Sequence, residues 1–159
     1  MIFSLFIMSK NSFYMSVFYD DPETMRNCSR LSYAIQSNDL EFVRRLLSKT
    51  PEMVHMVYGA DKLLPLERAI CLDVENMRMI EAIVEFGADV KYINEQTGNS
   101  LMHIAARQNK PRIVEWLISL GAPLNEINSD GYTPLMEAVC NVYTSLFLLL
   151  HSITYNFPC

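Results

Sequence analysis

A repeated spacing of 33 residues is the feature of this 159-residue sequence that most constrains its fold. Gly98 and Gly131 lie 33 residues apart, at the same place in two similar segments, 97–106 and 130–139. Both segments have a hydroxyl residue two positions after the glycine and an alanine seven positions after it. Self-similarity at such a period is typical of proteins built from small stacked units. Further copies of the pattern are therefore expected elsewhere in the chain.

A second pair of matching segments and two weaker copies extend the pattern. Segment 83–90 matches 117–124, with a glycine in each. Segment 64–70 resembles the block that follows Gly98, and 31–35 is a fainter copy. These matches divide the chain into four units, at about 26–58, 59–94, 95–127 and 128 onward.

The two best-preserved blocks carry a family resemblance. They read T-P-L at 133–135 and S-L-M-H-I-A-A at 100–106. With the 33-residue period, they resemble the T-P-L-H-x-A block of the ankyrin repeat family, over roughly residues 26–141. The resemblance implies an all-α fold, an ankyrin-type solenoid of stacked helix-turn-helix repeats joined by hairpin-like loops.

The residues of the third unit fit this architecture physically. Gly98 permits a turn with positive φ, and Ser100, like Thr133 one unit later, can cap a helix through its hydroxyl. A short helix is predicted at 102–107. Pro111 suits the first turn of the next helix, because the N–H groups of that turn have no acceptor within the helix and the N–H that proline lacks is therefore not missed.

Each second helix carries an apolar stripe that one unit cannot bury alone. The third unit predicts a helix at 111–120 with one apolar face, followed by Gly121 as a C-terminal cap. Stacked neighbours would bury these faces, which therefore indicate core packing. The stripes are Phe42, Val43, Leu46 and Leu47; Met79, Ile80, Ile83 and Val84, followed by Gly87; and Ile113, Val114, Leu117 and Ile118.

The first two units depart from the family pattern. The second has Lys62 where the glycine belongs, and two extra residues between its helices within 71–75. The first lacks the T-P-L block, and its second helix is capped by Asn38 or Asp39. The two extra residues of the second unit predict a surface loop there, and lengthening such a loop costs little free energy.

Both ends of the chain contain almost no charged residues. Before Asp20 only Lys10 is charged, and after Glu137 no Asp, Glu, Lys or Arg occurs. We expect 1–25 to be a poorly ordered apolar extension that frays or docks on the first repeat. A signal-peptide core is the alternative, but no basic segment precedes it and no cleavage site follows.

The C-terminal segment 142–159 is predicted to be an atypical, incomplete last repeat after a repeat domain at 26–141. Its helix should begin near Tyr143, yet Leu148 and Leu149 fall where a water-facing side is expected. A terminal unit needs a polar outer face. Three explanations remain open: the stack continues in a longer chain, a partner covers the surface, or the apolar tail folds back on itself.

Composition excludes several function classes. The net charge of −5 disfavours nucleic-acid binding, and the four separated cysteines indicate neither a disulfide framework nor a zinc site. Because no catalytic constellation or phosphate-binding loop is present, we expect no enzyme, cofactor, metal or small-molecule substrate. No membrane span is expected, and an intracellular, cytoplasmic location fits reduced thiols.

The ankyrin resemblance implies protein–protein recognition through turn tips and the exposed face of each first helix. In the family, the histidine at the place of His103 bonds turn backbone, so we interpret His103 as structural. Trp116, beside an apolar stripe, is expected to pack there, with a partner contact as the alternative. The candidate partner-binding residues are Leu63, Gln96, Thr97, Asn99, Arg107, Gln108, Ser129, Asp130, Tyr132, Cys140 and Asn141.

Two functional hypotheses follow from the resemblance. The first is an intracellular adaptor or occluding inhibitor that binds a protein partner through its turn tips. The second is a truncated regulatory segment of a larger protein, such as an enzyme or a channel. Tyr132 and Arg107 are the preferred anchors, because aromatic and arginine side chains often dominate interfaces.

Overall fold

A computed structural model describes residues 22–58, 62–141 and 144–156. Within this part of the chain, α-helices and one short 3₁₀ helix form the regular structure. The helices are α1 (Pro22–Gln36), α2 (Leu40–Leu47), the 3₁₀ helix (Pro51–His55), α3 (Pro65–Cys71), α4 (Met77–Glu85), α5 (Leu101–Arg107), α6 (Pro111–Ser119), α7 (Pro134–Cys140) and α8 (Thr144–Asn156).

The helices form a stack of hairpins in two rows. The inner helices α1, α3, α5 and α7 pack each on the next, and α2, α4, α6 and α8 each pack on the inner helix before them in the chain. In α5, every residue from Leu101 to Ala106 is buried, because α3 and α7 flank it. Ala105 and Ala106 are fully buried, and their small side chains let the inner helices approach closely. The predicted all-α solenoid is confirmed.

Helix starts follow the predicted capping residues. Ser100 Oγ accepts the N–H of His103 at 3.4 Å, and Thr133 Oγ1 accepts the N–H of Met136 at 3.3 Å. Asp39, not Asn38, caps α2. Its Oδ1 accepts the N–H of Phe42 at 3.0 Å. These bonds satisfy N–H groups that have no partner within the helix.

The turns before the inner helices have left-handed backbone, as predicted for Gly98. The φ angle is +67° at Gly98 and +82° at Gly131. In the second unit Lys62 takes this conformation with φ +49°, so the backbone turn survives the loss of the glycine. The two-residue insertion lies in the loop between α3 and α4. There, Lys110 from the next unit donates to the carbonyl of Asp73 at 2.8 Å.

The first helix begins earlier than expected. Helix α1 starts at Pro22, so residues 22–25 belong to the first unit and not to the N-terminal extension. Proline in the first turn and the acidic Glu23 both favour a helix start. The rest of the predicted extension, 1–21, lies outside the described residues.

The last helix, α8, has one buried and one exposed apolar side. Leu150 is buried, Leu149 packs partly against the core, and Leu148 is 65% exposed. The predicted start at Tyr143 lies outside the described residues. Within the described chain, no helix is long and apolar enough to cross a membrane.

Candidate protein-binding surface

The loops between repeats form the turn tips, defined here as residues 86–100 and 120–133. In the second tip, Asn128 is buried, and its Oδ1 accepts the N–H groups of Asp130 at 3.1 Å and Tyr132 at 2.9 Å. The N–H of Asn128 also donates to the carbonyl of Tyr132 at 3.0 Å. One buried side chain therefore fixes the turn from inside.

Neighbouring tips contact each other through their backbones. The N–H of Ser129 donates to the carbonyl of Thr97 in the preceding tip at 2.9 Å. Gly98 makes this approach possible, because a Cβ atom at that position would lie 2.8 Å from the Ser129 nitrogen. The two tips therefore form one continuous edge.

His103 links an inner helix to the following tip. Its Nδ1 accepts the backbone N–H of Ser100 at 3.1 Å, so the neutral ring carries its proton on Nε2. That Nε2–H then donates to the carbonyl of Tyr132 at 2.9 Å. Burial lowers the pKa of His103 below its ordinary value of 6.5, which keeps the ring neutral. The prediction that His103 bonds turn backbone is confirmed.

Glu67 holds the same helix position in the preceding unit and also bonds forward. Its Oε2 accepts the N–H of Leu64 at 2.8 Å, and its Oε1 accepts from Asn94 in the next tip at 3.4 Å. The third residue of an inner helix therefore bonds both its own helix start and the next tip in these two units.

An ion pair joins the third and fourth units. Nη2 of Arg107 lies 2.5 Å from Oε1 of Glu137, and its Nε donates to Oε2 at 3.2 Å. The hydrogen bond from Arg107 holds the pKa of Glu137 below its ordinary value. Glu137 is buried, and it also accepts from Asn128 at 3.2 Å. The pair fixes the fourth unit on the third.

The structure exposes most of the candidate partner-binding residues. The exposed ones lie on the tips or at the ends of the inner helices α5 and α7: Gln96, Thr97, Gln108, Ser129, Asp130, Tyr132, Cys140 and Asn141. Leu63 and Arg107 are half-buried, and Arg107 is held by its ion pair.

Asn99 requires a correction. It is 8% exposed, and its Oδ1 accepts a hydrogen bond from Asn128 at 2.9 Å. It therefore packs inside the edge and is not available to a partner. The expected accessibility is wrong because the fourth unit covers this position of the third. Trp116 is partly buried and packs against the core, in agreement with its packing interpretation.

The sequence reasoning gave no role to Asn128 or Glu137. For Asn128, the sequence N-S-D-G at 128–131 is typical of a turn in which the asparagine bonds the backbone two residues ahead. For Glu137 no local signal exists, because its partner Arg107 lies 30 residues away.

The exposed charges of the two tips are mostly negative. Four acidic side chains face solvent there and one basic side chain does: Asp89, Glu95, Glu126 and Asp130, against Lys91. The described residues contain no group of three or more His, Cys, Asp or Glu side chains placed to hold a metal ion.

A family model for ankyrin repeats matches residues 66–158 with three copies. The chain belongs to the ankyrin repeat family. The match begins in the second unit, and α1 and α2 add a further ankyrin-like helix pair before it. Ankyrin repeats are a general protein–protein interaction module.

Related ankyrin repeat proteins come from a virus, an animal and a plant. The ankyrin repeat protein FPV031 of Fowlpox virus (strain NVSL) is 30% identical over 70% of this chain and 32% of its own length. Protein phosphatase 1 regulatory subunit 27 of Mus musculus is 31% identical over 63% of this chain and 62% of its own length. Regulatory protein NPR6 of Arabidopsis thaliana is 34% identical over 75% of this chain and 24% of its own length.

The chain thus spans less than two thirds of each of these relatives. Two of them are regulatory proteins by name. Family and relatives together indicate a non-catalytic module.

Proposed function

We propose that this chain is a protein-binding module, an adaptor or an occluding inhibitor, that contacts its partner through the turn tips and the concave face of the inner helices. Tyr132 carries the proposal. Its side chain is 42% exposed, while its own N–H and carbonyl are bonded to Asn128 and His103 at 2.9 Å each. An exposed aromatic ring on a fixed backbone is a good interface anchor, because little conformational entropy is lost on binding.

The contact surface extends along both tips. Around Tyr132 we include the exposed tip residues Gln96, Thr97, Ser129 and Asp130. At the ends of the inner helices, Gln108, Cys140 and Asn141 extend the surface, and Leu63 and Arg107 border it. Asn99 is left out because it is buried.

The charge of the tips favours a basic segment on the partner. Four exposed acidic side chains against one lysine give these two loops a negative potential. Complementary charge raises the association rate more than it raises the affinity. Binding should therefore weaken with added salt, mainly through a slower association rate.

A phosphatase is one partner to test. A mouse relative is, by name, a regulatory subunit of protein phosphatase 1, and its 31% identity covers 63% of this chain. We propose purified protein phosphatase 1 as the first probe. We further propose that the chain itself has no catalytic activity. We also propose that it acts inside the cell, because a free exposed thiol such as that of Cys140 is typical of intracellular proteins.

The test compares Tyr132→Ala with Val74→Ala. Val74 is the control: it is an apolar residue that is 69% exposed, lies in the loop after α3 and is not among the residues of the proposed surface. Quantitative pull-down with the full chain, followed by calorimetry on the recovered proteins and on protein phosphatase 1, measures binding. Tyr132→Ala should weaken binding at least about tenfold, as expected for an aromatic anchor, and Val74→Ala should leave it unchanged.

Two results would reject the proposal. Equal binding by the wild type and Tyr132→Ala would reject the tip surface, and equal weakening by Val74→Ala would reject its location. Absence of protein phosphatase 1 binding would reject that partner alone.

A second candidate function is a regulatory segment within a larger protein. It is favoured by the lengths of the relatives, since the chain spans 32% of the fowlpox protein and 24% of the plant protein. The genomic sequence downstream of the Asn141 codon tests this idea. A splice site followed by continuing repeats would support it. A reading frame that runs to a stop codon after Cys159, with no repeats encoded beyond it, would reject it.

A further inference from the structure

Two isoleucines are exposed at the same position of successive turn tips. Ile93 lies six residues after Gly87, and Ile127 lies six residues after Gly121. Ile93 is 39% exposed and Ile127 is 66% exposed. A single exposed apolar residue is ordinary, but two at equivalent places in adjacent loops form the start of a row. Ile93 and Ile127 are here called the isoleucine pair, and neither is part of the surface described above.

The isoleucine pair lies on loops that each connect two described units. The tip with Ile93 leads into α5, and the tip with Ile127 leads into α7. The N–H of Ser129 donates to the carbonyl of Thr97 at 2.9 Å, which holds the two tips side by side. The pair therefore belongs to two loops whose relative placement is fixed by direct contact.

The stacking of the inner helices sets the distance between the two isoleucines. Helices α5 and α7, which follow the two tips, pack directly on each other. The axes of packed helices lie about 8–10 Å apart. Because Ile93 and Ile127 hold equivalent positions before these helices, we expect about the same distance between their side chains.

An α-helix presents apolar side chains at nearly this spacing. Residues seven apart on a helix lie on the same side, about 10.5 Å apart along the axis. In a β-strand, the side chains of one face recur at about 6.6 Å and about 13 Å, so neither distance fits as well. A polyproline II segment repeats at about 9.3 Å, but such segments dock in grooves lined by aromatic side chains, and this pair is aliphatic.

The backbone of the tips also favours a helix over an extended segment. Extended partners often bind through main-chain hydrogen bonds. Several N–H groups of the tips already donate within the tips: that of Asn94 to the carbonyl of Asn99 at 2.9 Å, that of Gly98 to Asn94 at 2.7 Å, and that of Asn128 to Tyr132 at 3.0 Å. A helix satisfies its own backbone groups and needs only side-chain contacts.

The charges beside the isoleucine pair indicate the chemistry of that helix. Glu126 directly precedes Ile127, Glu95 follows Ile93 by two residues, and both carboxylates are exposed. We propose that the tips bind an amphipathic helix of the partner, with apolar side chains about seven residues apart for the isoleucine pair and lysine or arginine beside them for the carboxylates. This inference rests on the proposed function, because it names the kind of segment that the same tips contact.

Fluorescence anisotropy with the full chain and a labelled synthetic peptide tests the proposal. The peptide is a helix of about 18 residues, with two leucines seven residues apart, lysines beside them and alanines elsewhere. Three comparison peptides each change one feature: leucines five residues apart, which places them on different sides of the helix; a proline in the middle, which breaks it; and glutamate for every lysine. Each comparison peptide should bind at least about fivefold more weakly.

Variants of the chain locate the contact. Ile93→Ser and Ile127→Ser remove apolar side chains at exposed positions. Each should weaken binding of the first peptide at least about fivefold, because a buried apolar contact is lost. Val74→Ser, at an exposed apolar site outside the tips, should leave binding unchanged. Circular dichroism of each variant verifies that the helices are retained.

Absence of binding by the first peptide would overturn the proposal. So would equal binding of any comparison peptide, equal binding by the wild type and both isoleucine variants, or equal weakening by Val74→Ser. The pull-down with Tyr132→Ala separates this failure from failure of the proposed function. Partners recovered through Tyr132 would leave the protein-binding module standing without the helix, and recovery that does not depend on Tyr132 would reject the tip surface itself.

Discussion

The imidazole of His103 joins two repeats, because its Nε2–H donates to the carbonyl oxygen of Tyr132 at 2.9 Å. Its other nitrogen accepts the N–H of Ser100 at the start of its own helix. One buried side chain thus caps a helix and holds the next turn tip. The exposed ring of Tyr132 stands on backbone that is fixed from inside the stack.

Replacing His103 with alanine should destabilise the fold. The change leaves the buried N–H of Ser100 and the carbonyl of Tyr132 without these partners, and it opens a cavity. We expect a loss of about 3 kcal/mol in the free energy of unfolding. Urea denaturation, followed by circular dichroism, measures it. Met136→Ala, at the equivalent exposed position, should cost less than about 1 kcal/mol. Similar losses for the two variants would contradict the role of His103.

Stability should fall as the pH drops below neutrality. Burial lowers the pKa of His103 below 6.5, so the unfolded chain takes up this proton more readily than the folded chain. The contribution of neutral His103 is therefore complete above about pH 6.5 and is lost as the pH falls through its lower folded pKa. Urea midpoints between pH 7.5 and pH 5, roughly the range in which histidines titrate, should decrease for the wild type.

The variant His103→Gln provides the control for this pH dependence, since it lacks the titrating group. Its urea midpoint should vary less over the same range. The pKa of Glu137 is lowered from 4.5, so its own stability loss begins at lower pH and does not interfere. Equal slopes for the wild type and the variant would show that His103 does not titrate as described.

The ion pair between Arg107 and Glu137 should show measurable coupling. Glu137 is buried, but the Arg107 side chain is 41% exposed, so solvent weakens the interaction. A double-mutant cycle with Arg107→Met and Glu137→Gln should give a coupling energy of about 1–2 kcal/mol. The exposed pair of Arg44 and Glu85, 2.8 Å apart, is the control and should give less than about 0.5 kcal/mol. A coupling no larger than that of the control would mean that the pair of Arg107 and Glu137 does not fix the fourth unit.

The two tip glycines should respond differently to alanine. Both have positive φ, which strains alanine by about 1–2 kcal/mol. At Gly131 no atom lies within 4 Å of the new Cβ, so Gly131→Ala should cost this strain alone. At Gly98 the Cβ would lie 2.8 Å from the Ser129 nitrogen, so the contact between the tips must shift and the loss should reach about 3 kcal/mol. Thermal unfolding of the two variants compares them, and equal losses would argue against close contact of the tips.

Much of the fold could be predicted because its signals are local. The caps Ser100 and Thr133 lie within three residues of the N–H groups that they bond. The apolar stripes repeat within a helix, and the single residue Gly98 is enough to predict the turn in which it lies. The start of α1 also has a local signal, the proline at position 22.

The interior of the binding edge could not be predicted in the same way. The partners of Arg107 and Asn99 lie 30 and 29 residues away, and which side chains meet depends on how one repeat is placed on the next. A contact position on a family turn can therefore be buried, as Asn99 is. The exposure of Met136 and Val139 has a similar origin, since no further helix of the described chain covers them.

Amide hydrogen exchange at Ser129 and Tyr132 tests the rigidity of the turn tips most directly. The N–H of Ser129 bonds Thr97 in the neighbouring tip, and the N–H of Tyr132 bonds the buried Asn128. Both amides should exchange at least about 100-fold more slowly than in an unstructured peptide, and His103→Gln should reduce this protection. Exchange of both at the rate of an unstructured peptide would contradict a prearranged binding edge.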